Sequence, residues 1–118
     1  MDSADPTVSN PDLYTVVFEN HRVRVLEYRD RPGDRTRPHA HPDTLMYTLS
    51  SFSRRLRTAD AERDVELAAG TVGWIPAQVH SGENIGETAT HVLFIELKDQ
   101  DQGRDELRAI GPEVRDWA

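Results

Sequence analysis

The chain has 118 residues, of which 36% are hydrophobic and 30% charged, and its formal net charge is −7 at pH 7. That length allows one domain with one core, and the negative charge excludes nucleic acid as a favoured partner, because phosphate backbones are negatively charged too. The absence of cysteine excludes disulfides, zinc–thiolate sites and thiol catalysis, so a bound transition metal would need nitrogen or oxygen ligands.

The chain also lacks the segments that place a protein in or across a membrane. No apolar run approaches the roughly 20 residues that a membrane-spanning helix needs. The N-terminal stretch is acidic and has neither the basic start nor the apolar centre of a signal peptide. We therefore expect a soluble cytoplasmic protein without a membrane partner.

An N-terminal arm at residues 1–13 precedes short runs of β-type residues, each closed by turn residues. The arm contains Pro6 and Pro11 among polar residues, which is typical of irregular segments. Residues 14–100 form the main domain, where many short strands and frequent turns predict an all-β sandwich or barrel. A loop containing Gly82 and Gly86 precedes the last strand, which is apolar enough to predict burial on both faces. The expected strands are 14–18, 22–28, 36–41, 44–50, 54–58, 65–68, 72–75 and 90–97.

Residues 101–118 are predicted to form a helical C-terminal tail. Leu107 and Ile110 lie three residues apart, which favours a short helix, and Gly111 with Pro112 would end it. Trp117 lies near the end of this tail. Because burial of so large an apolar side chain is favourable, we expect Trp117 to pack on the barrel or on a neighbouring subunit.

Five histidines are present, and two of them form a His-x-His pair. His39 and His41 flank Ala40, and alternation along a strand places both imidazoles on the same face, within reach of a common ion. His80 is the best-placed third ligand, since it follows the strand that ends near Trp74. His91 opens an apolar strand and is predicted to be a core or edge residue, or a group that supports a ligand without touching the metal.

Two motifs in order give the sequence a specific resemblance. Gly33, five residues and His39-Ala40-His41 are similar to the start of the first conserved motif of the cupins. Gly70, five residues and Pro76, followed by His80, three residues and Asn84, are similar to the second motif. The resemblance covers about residues 22–97. It implies the cupin jelly roll, also called a double-stranded β-helix, with a metal inside the barrel.

The departures from these motifs bear on the metal site. Met46 stands where the family usually has a glutamate ligand, five residues after the second histidine. Ser53 and Gln78 replace two glycines of the motifs. The resemblance then implies a three-histidine site for one divalent transition metal, Fe, Zn, Ni or Mn, with coordination positions left open. Asp43 and Glu83, two loop acids near the histidines, are candidates to replace the missing carboxylate.

Other side chains near these motifs are candidates for the wall of a binding pocket. Aromatic core packing explains two of them, Tyr47 and Trp74, equally well. Arg54, Arg55 and Arg57 form either an anion-binding group or the solvated face of a strand. The predicted pocket residues are Met46, Tyr47, Trp74, Gln78 and His91.

Two classes of function follow from the resemblance. In the first, the protein is a metal-dependent enzyme of the dioxygenase, lyase or isomerase type that acts on a small polar or anionic metabolite. In the second, it is a non-catalytic cupin that binds or senses a small ligand and holds a structural metal or none. The segments 41–52 and 74–78 also resemble small bacterial cupins, some of which are labelled β-alanine degradation proteins.

The sequence further predicts a homodimer. A small barrel leaves strand edges open, and such edges are usually paired or covered. The arm at residues 1–13 and the tail with Trp117 are the segments expected to cross to a partner.

Overall fold

Nine β-strands and one helical turn make up the part of the chain that the computed structural model describes, residues 4–98. The predicted helix and tail at 101–118, with Trp117, lie outside these residues. The elements are α1 (Pro6–Ser9), β1 (Tyr14–Glu19), β2 (Val23–Asp30), β3 (His39–His41), β4 (Thr44–Thr48), β5 (Phe52–Arg57), β6 (Glu62–Leu67), β7 (Val72–Ile75), β8 (Gln78–Asn84) and β9 (Thr90–Leu97). No helix in this range is long and apolar enough to cross a membrane.

The strands form two antiparallel sheets, as an all-β jelly roll requires. One sheet has five strands in the order β1-β2-β9-β4-β7, and the other has four in the order β3-β8-β5-β6. In both sheets, strands distant in sequence are neighbours in space, such as β2 beside β9 and β3 beside β8. The all-β jelly roll predicted from the sequence is therefore confirmed.

Two strands differ from their predicted form. Residues 78–84, predicted as a loop because of Gly82 and the polar residues around it, form β8 and pair with both β3 and β5. Strand β9 is buried mainly on one face, where Thr90, Val92 and Glu96 point inward, whereas Leu97 is exposed. The prediction of full burial on both faces holds only for the inner face, because His91, Leu93 and Ile95 on the outer face are half-buried among the described residues.

The two motif glycines, Gly33 and Gly70, make turns that other residues rarely make. Their φ angles are 91° and 86°, in the left-handed region where a Cβ atom is strained. The amide of Gly33 donates to the carbonyl of Asn84, 3.0 Å away, so the turn that begins the first motif is bonded to the end of the second.

The N-terminal arm folds back on its own barrel. Asp5 caps α1 by accepting a hydrogen bond from the Thr7 amide at 2.9 Å. The amide of Ala40 in β3 donates to the carbonyl of Ala4 at 2.7 Å. Residues 4–13 therefore pack against strand β3 of the same chain; the expected contact of the arm with a partner subunit stays a prediction.

The barrel interior combines a small apolar core with many buried polar groups. Tyr14, Leu26 and Tyr28 form the buried cluster, against which Phe94 packs. The buried polar residues are Asn10, Asp30, Thr36, His39, His41, Thr44, Thr48, Arg54, Asn84, Thr90 and Glu96. Burial of so many polar side chains is costly unless they are paired, which makes this interior the place to look for chemistry.

Candidate metal centre

The antiparallel pairing of β3 with β8 brings three histidines together. His39 and His41 lie on the same face of β3, and His39 is directly opposite His80 in β8. Their candidate ligand nitrogens all lie within 4.8 Å of one another. The ring centroids are 4.9–5.0 Å apart. The structure thus assembles the three residues that the sequence analysis selected as metal ligands.

Each of these rings has its Nδ1 atom bonded to an oxygen of the protein. His39 Nδ1 lies 2.7 Å from the carbonyl of Arg37, and His41 Nδ1 lies 3.1 Å from Glu96 Oε2. His80 Nδ1 lies 2.8 Å from Gln78 Oε1. An acceptor at Nδ1 assigns the proton to that nitrogen and leaves the lone pair on Nε2, the arrangement typical of metal-binding histidines.

The Nε2 atom of His41 tests whether these residues fit a metal. Among the described residues, it is the only buried side-chain nitrogen or oxygen atom that has no hydrogen-bond partner. An unsatisfied buried polar atom costs free energy, so native structures contain few of them. A divalent ion bound by the three histidines would supply the missing partner, so the donor set fits such an ion.

Burial keeps two of the candidate ligand rings, those of His39 and His80, neutral. Desolvation lowers the pKa of His39 from 6.5 to about 4, in spite of its hydrogen bond to Arg37. Desolvation and the neighbouring His41 and His39 rings lower the pKa of His80 from 6.5 to about 3. Since only neutral imidazole binds a metal, the lowered pKa values of these two rings favour ligation at neutral pH.

Neither predicted substitute for the missing carboxylate joins the cluster. Asp43 is exposed and accepts a hydrogen bond from the Ala77 amide at 2.9 Å. Glu83 lies 3.5 Å from both Arg35 and Arg57. Met46, at the position of the usual ligand, is half-buried in the cavity wall beside two of the histidines.

A carboxylate does lie close to the histidines, but it contacts a ligand ring. Glu96 is buried. One of its carboxylate oxygens bonds His41 Nδ1, and the other accepts a hydrogen bond from Arg24 at 2.9 Å. Arg24 in turn contacts Asp5 at 3.1 Å, which links the arm to the site. The sequence analysis did not select Glu96, although an acid inside the apolar run of β9 was a usable signal.

Tyr14 and Asn10, which the sequence analysis also missed, approach His39. The Tyr14 hydroxyl lies 3.2 Å from His39 Nε2. Desolvation raises the pKa of Tyr14 far above its usual value, so the hydroxyl keeps its proton. The Asn10 side chain accepts from the Arg37 amide at 2.7 Å and fixes the segment that leads into β3.

A cavity of about 100 Å³ lies inside the barrel next to two of the histidines. Two of the predicted pocket residues, Met46 and Gln78, are part of its wall. The residues that line it are Tyr14, Tyr28, Thr36, His39, Met46, Phe52, Arg54, Leu56, Val65, Leu67, Ile75, Gln78, His80, Gly82, Thr90, Val92 and Phe94.

The other three predicted pocket residues lie on the outer face of the five-stranded sheet. Tyr47 and Trp74 are 40% and 54% exposed, because alternation along β4 and β7 directs them away from the interior. His91 is also on the outer face, where its Nε2 atom lies 2.7 Å from Glu27 of β2. The structure does not place these side chains near the histidine cluster.

The three arginines of β5 divide between the two faces of their sheet. Arg54 is buried and bonds the Asp30 carboxylate, the Thr90 hydroxyl at 3.1 Å and the Tyr28 hydroxyl at 3.2 Å. Arg55 is exposed to solvent and pairs with Asp64 at 2.8 Å. The solvated-face interpretation is therefore wrong for Arg54, whose charge is balanced inside the barrel.

Comparison with solved structures identifies the fold class to which this barrel belongs. A cupin domain from Bordetella pertussis Tohama I is 28% identical and superimposes with a TM-score of 0.69 over 73% of this chain and 92% of that one. An RmlC-like cupin with a double-stranded β-helix fold from Methanocaldococcus jannaschii is 11% identical, with a TM-score of 0.61 over 73% of this chain and 79% of that one. The fold is thus the double-stranded β-helix of the RmlC-like cupins.

Within that class the chain is a small single-domain cupin. A double-stranded β-helix protein from Klebsiella pneumoniae, 22% identical over 72% of this chain and 70% of that one, has a TM-score of 0.59 and shares the fold. No protein-family model and no curated protein matches the sequence.

Proposed function

We propose that the protein binds one divalent transition metal, Fe, Zn, Ni or Mn, through His39, His41 and His80, and is a metal-dependent enzyme of the dioxygenase, lyase or isomerase type. The observation that carries the metal proposal is the buried Nε2 atom of His41, which lacks any partner within the described residues. The adjoining cavity supports the catalytic part, because it places a small molecule beside two of these histidines, His39 and His80.

A metal held there would act as a Lewis acid that polarises an oxygen of the substrate. The chain's own groups have separate tasks. The acceptors at Nδ1 hold the three rings in one orientation and one tautomer. The Tyr14 hydroxyl, which faces His39 Nε2, must find another acceptor if a metal binds that nitrogen, so it could donate a hydrogen bond to a substrate oxygen.

A second candidate function is non-catalytic binding or sensing of a small ligand. One observation favours it: the cavity wall formed by the described residues contains no aspartate or glutamate. A reaction that needs a carboxylate as general base would have none in contact with the ligand. The two candidate functions are distinguished by measuring turnover of compounds that bind the protein, because only an enzyme converts them.

Elemental mass spectrometry of the purified protein tests the metal proposal. We expect about one equivalent of metal in the wild type and a large loss in His39→Gln/His41→Gln. His91→Gln is the matched control, since His91 also bonds a glutamate but lies outside the cluster. The proposal fails if wild type and double variant retain equally little metal after incubation with each of the four ions.

A further inference from the structure

The cavity beside the histidines is apolar over most of its wall, which bears on what it can hold. Leu56, Val65 and Leu67 contribute from β5 and β6, and Val92 and Phe94 from β9. Met46, Phe52 and Ile75 add to the same surface. An apolar wall favours an apolar ligand body, because burial of polar groups without partners is costly.

The polar groups of this wall are already used by the protein. Arg54 is the one side chain with a permanent charge among the described residues that line the cavity, and Asp30, Thr90 and Tyr28 occupy its guanidinium group. Gln78 is bonded to His80. A ligand with a charged group at each end would therefore bring one charge into a region that offers no free counter-charge.

The volume limits the size of the ligand. The cavity measures about 100 Å³, whereas a dry apolar cavity of about 150 Å³ accommodates benzene. In proportion, the cavity has room for about four non-hydrogen atoms. The atoms of the ligand that bind the metal at the histidines would come in addition to these four.

From these observations we infer that the site takes short-chain monocarboxylates, whose single carboxylate binds at the histidine-held metal and whose aliphatic body of three or four carbon atoms fills the cavity. This inference rests on the proposed metal site. It narrows the expected small polar or anionic molecule to one with a single polar end, and it argues against β-alanine, whose ammonium group would enter the apolar region.

Three probes of graded chemistry test the inference on the cobalt-loaded full chain. Butyrate and β-alanine have the same number of non-hydrogen atoms and differ by a methyl against an ammonium group, and acetate lacks the two outer carbon atoms of butyrate. Binding is read from the visible absorption of Co²⁺, which responds to a new ligand on the metal. We expect butyrate to bind about fifteenfold more tightly than acetate, from two buried methylene-sized groups, and more than tenfold more tightly than β-alanine.

Variants locate the effect in the cavity. Val65→Phe and Leu56→Phe fill the cavity and should weaken butyrate binding at least tenfold while cobalt stoichiometry is unchanged. Val72→Phe is the matched control, because Val72 is 61% exposed on the outer face of β7. The affinities of the wild-type protein for the three probes test the inference even if a cavity-filling variant does not fold.

The outcomes separate the two proposals. If Co²⁺ gives no bound absorption spectrum, the proposed metal site fails, and the inference fails with it. If Co²⁺ binds but the three probes have equal affinity, or β-alanine binds most tightly, the metal site stands and the inference is overturned. Tighter binding of butyrate that is lost in the filled variants supports it.

Discussion

Glu96 is the residue whose replacement best tests the ligand geometry, and Glu96→Gln is the change we would make first. The variant keeps an oxygen that can accept the hydrogen bond from His41 Nδ1 at 3.1 Å but removes the negative charge. A hydrogen bond to a charged group contributes about 1.5–3 kcal/mol, and one between neutral groups about 0.5–1.5 kcal/mol. The difference of about 1–1.5 kcal/mol corresponds to about a tenfold weaker metal affinity. That value lies at the low end of the range of about 10–100-fold measured for groups that orient metal ligands.

Competition with a chromophoric chelator gives the Kd for Zn²⁺ in wild type and variant. Glu27→Gln is the matched control, because Glu27 bonds His91 at 2.7 Å in the same sheet but supports no metal ligand. We expect its Kd to equal that of the wild type. Equal affinities for all three proteins would refute the role of Glu96, and an equal loss in both variants would indicate a general effect of net charge.

Three further predictions concern stability and assembly. In the metal-free protein, the pKa values of His39 and His80 are lowered to about 4 and about 3, so the folded state binds fewer protons than the unfolded state between about pH 4 and pH 6.5. As the pH is lowered through that window, the free energy of unfolding should decrease by about 1.4 kcal/mol per pH unit for each group, and urea unfolding of His39→Gln/His80→Gln should give a flatter profile; an unchanged slope would contradict this. Arg54→Met leaves buried Asp30 without its cation and should destabilise by about 3–5 kcal/mol, whereas Arg55→Met, exposed on the same strand, should leave stability almost unchanged; equal losses in urea unfolding would be evidence against the buried pair. The expected homodimer remains a prediction, now supported by the exposed apolar outer face that includes Leu45, Val72 and Trp74; light scattering should give twice the chain mass for wild type and the single mass for Trp74→Glu, and a monomeric wild type would rule the dimer out.

The fold and the histidine set were predictable because their signals are local. His39 and His41 lie two residues apart, and the turn glycines Gly33 and Gly70 precede the two motifs at fixed spacing. Strand β8 was missed for a physical reason. Its inward positions, which include His80, Gly82 and Asn84, are polar or lack a side chain, so the apolar alternation that indicates a strand is absent.

The partners of the buried charges were not predictable from one sequence. Arg54 meets Asp30, and Glu96 meets both Arg24 and His41, across separations of 24 to 72 residues. No local pattern distinguishes Arg54 from exposed Arg55 beside it. The outward orientation of Tyr47 and Trp74 likewise depends on the register of β4 with β7, which sets the face of every residue in both strands.

The position of β9 determines when the candidate metal centre can be completed during synthesis of the chain. This strand lies between β2 and β4 in the five-stranded sheet, yet it is the last of the nine described strands to leave the ribosome. Until residues 90–97 are available, β2 and β4 have no strand between them, and His41 lacks the carboxylate that orients its ring. Such non-local pairing slows folding. A nascent chain that ends before Glu96 would therefore expose its histidines without the full arrangement of side chains, so we expect binding of the proposed metal to follow closure of the barrel.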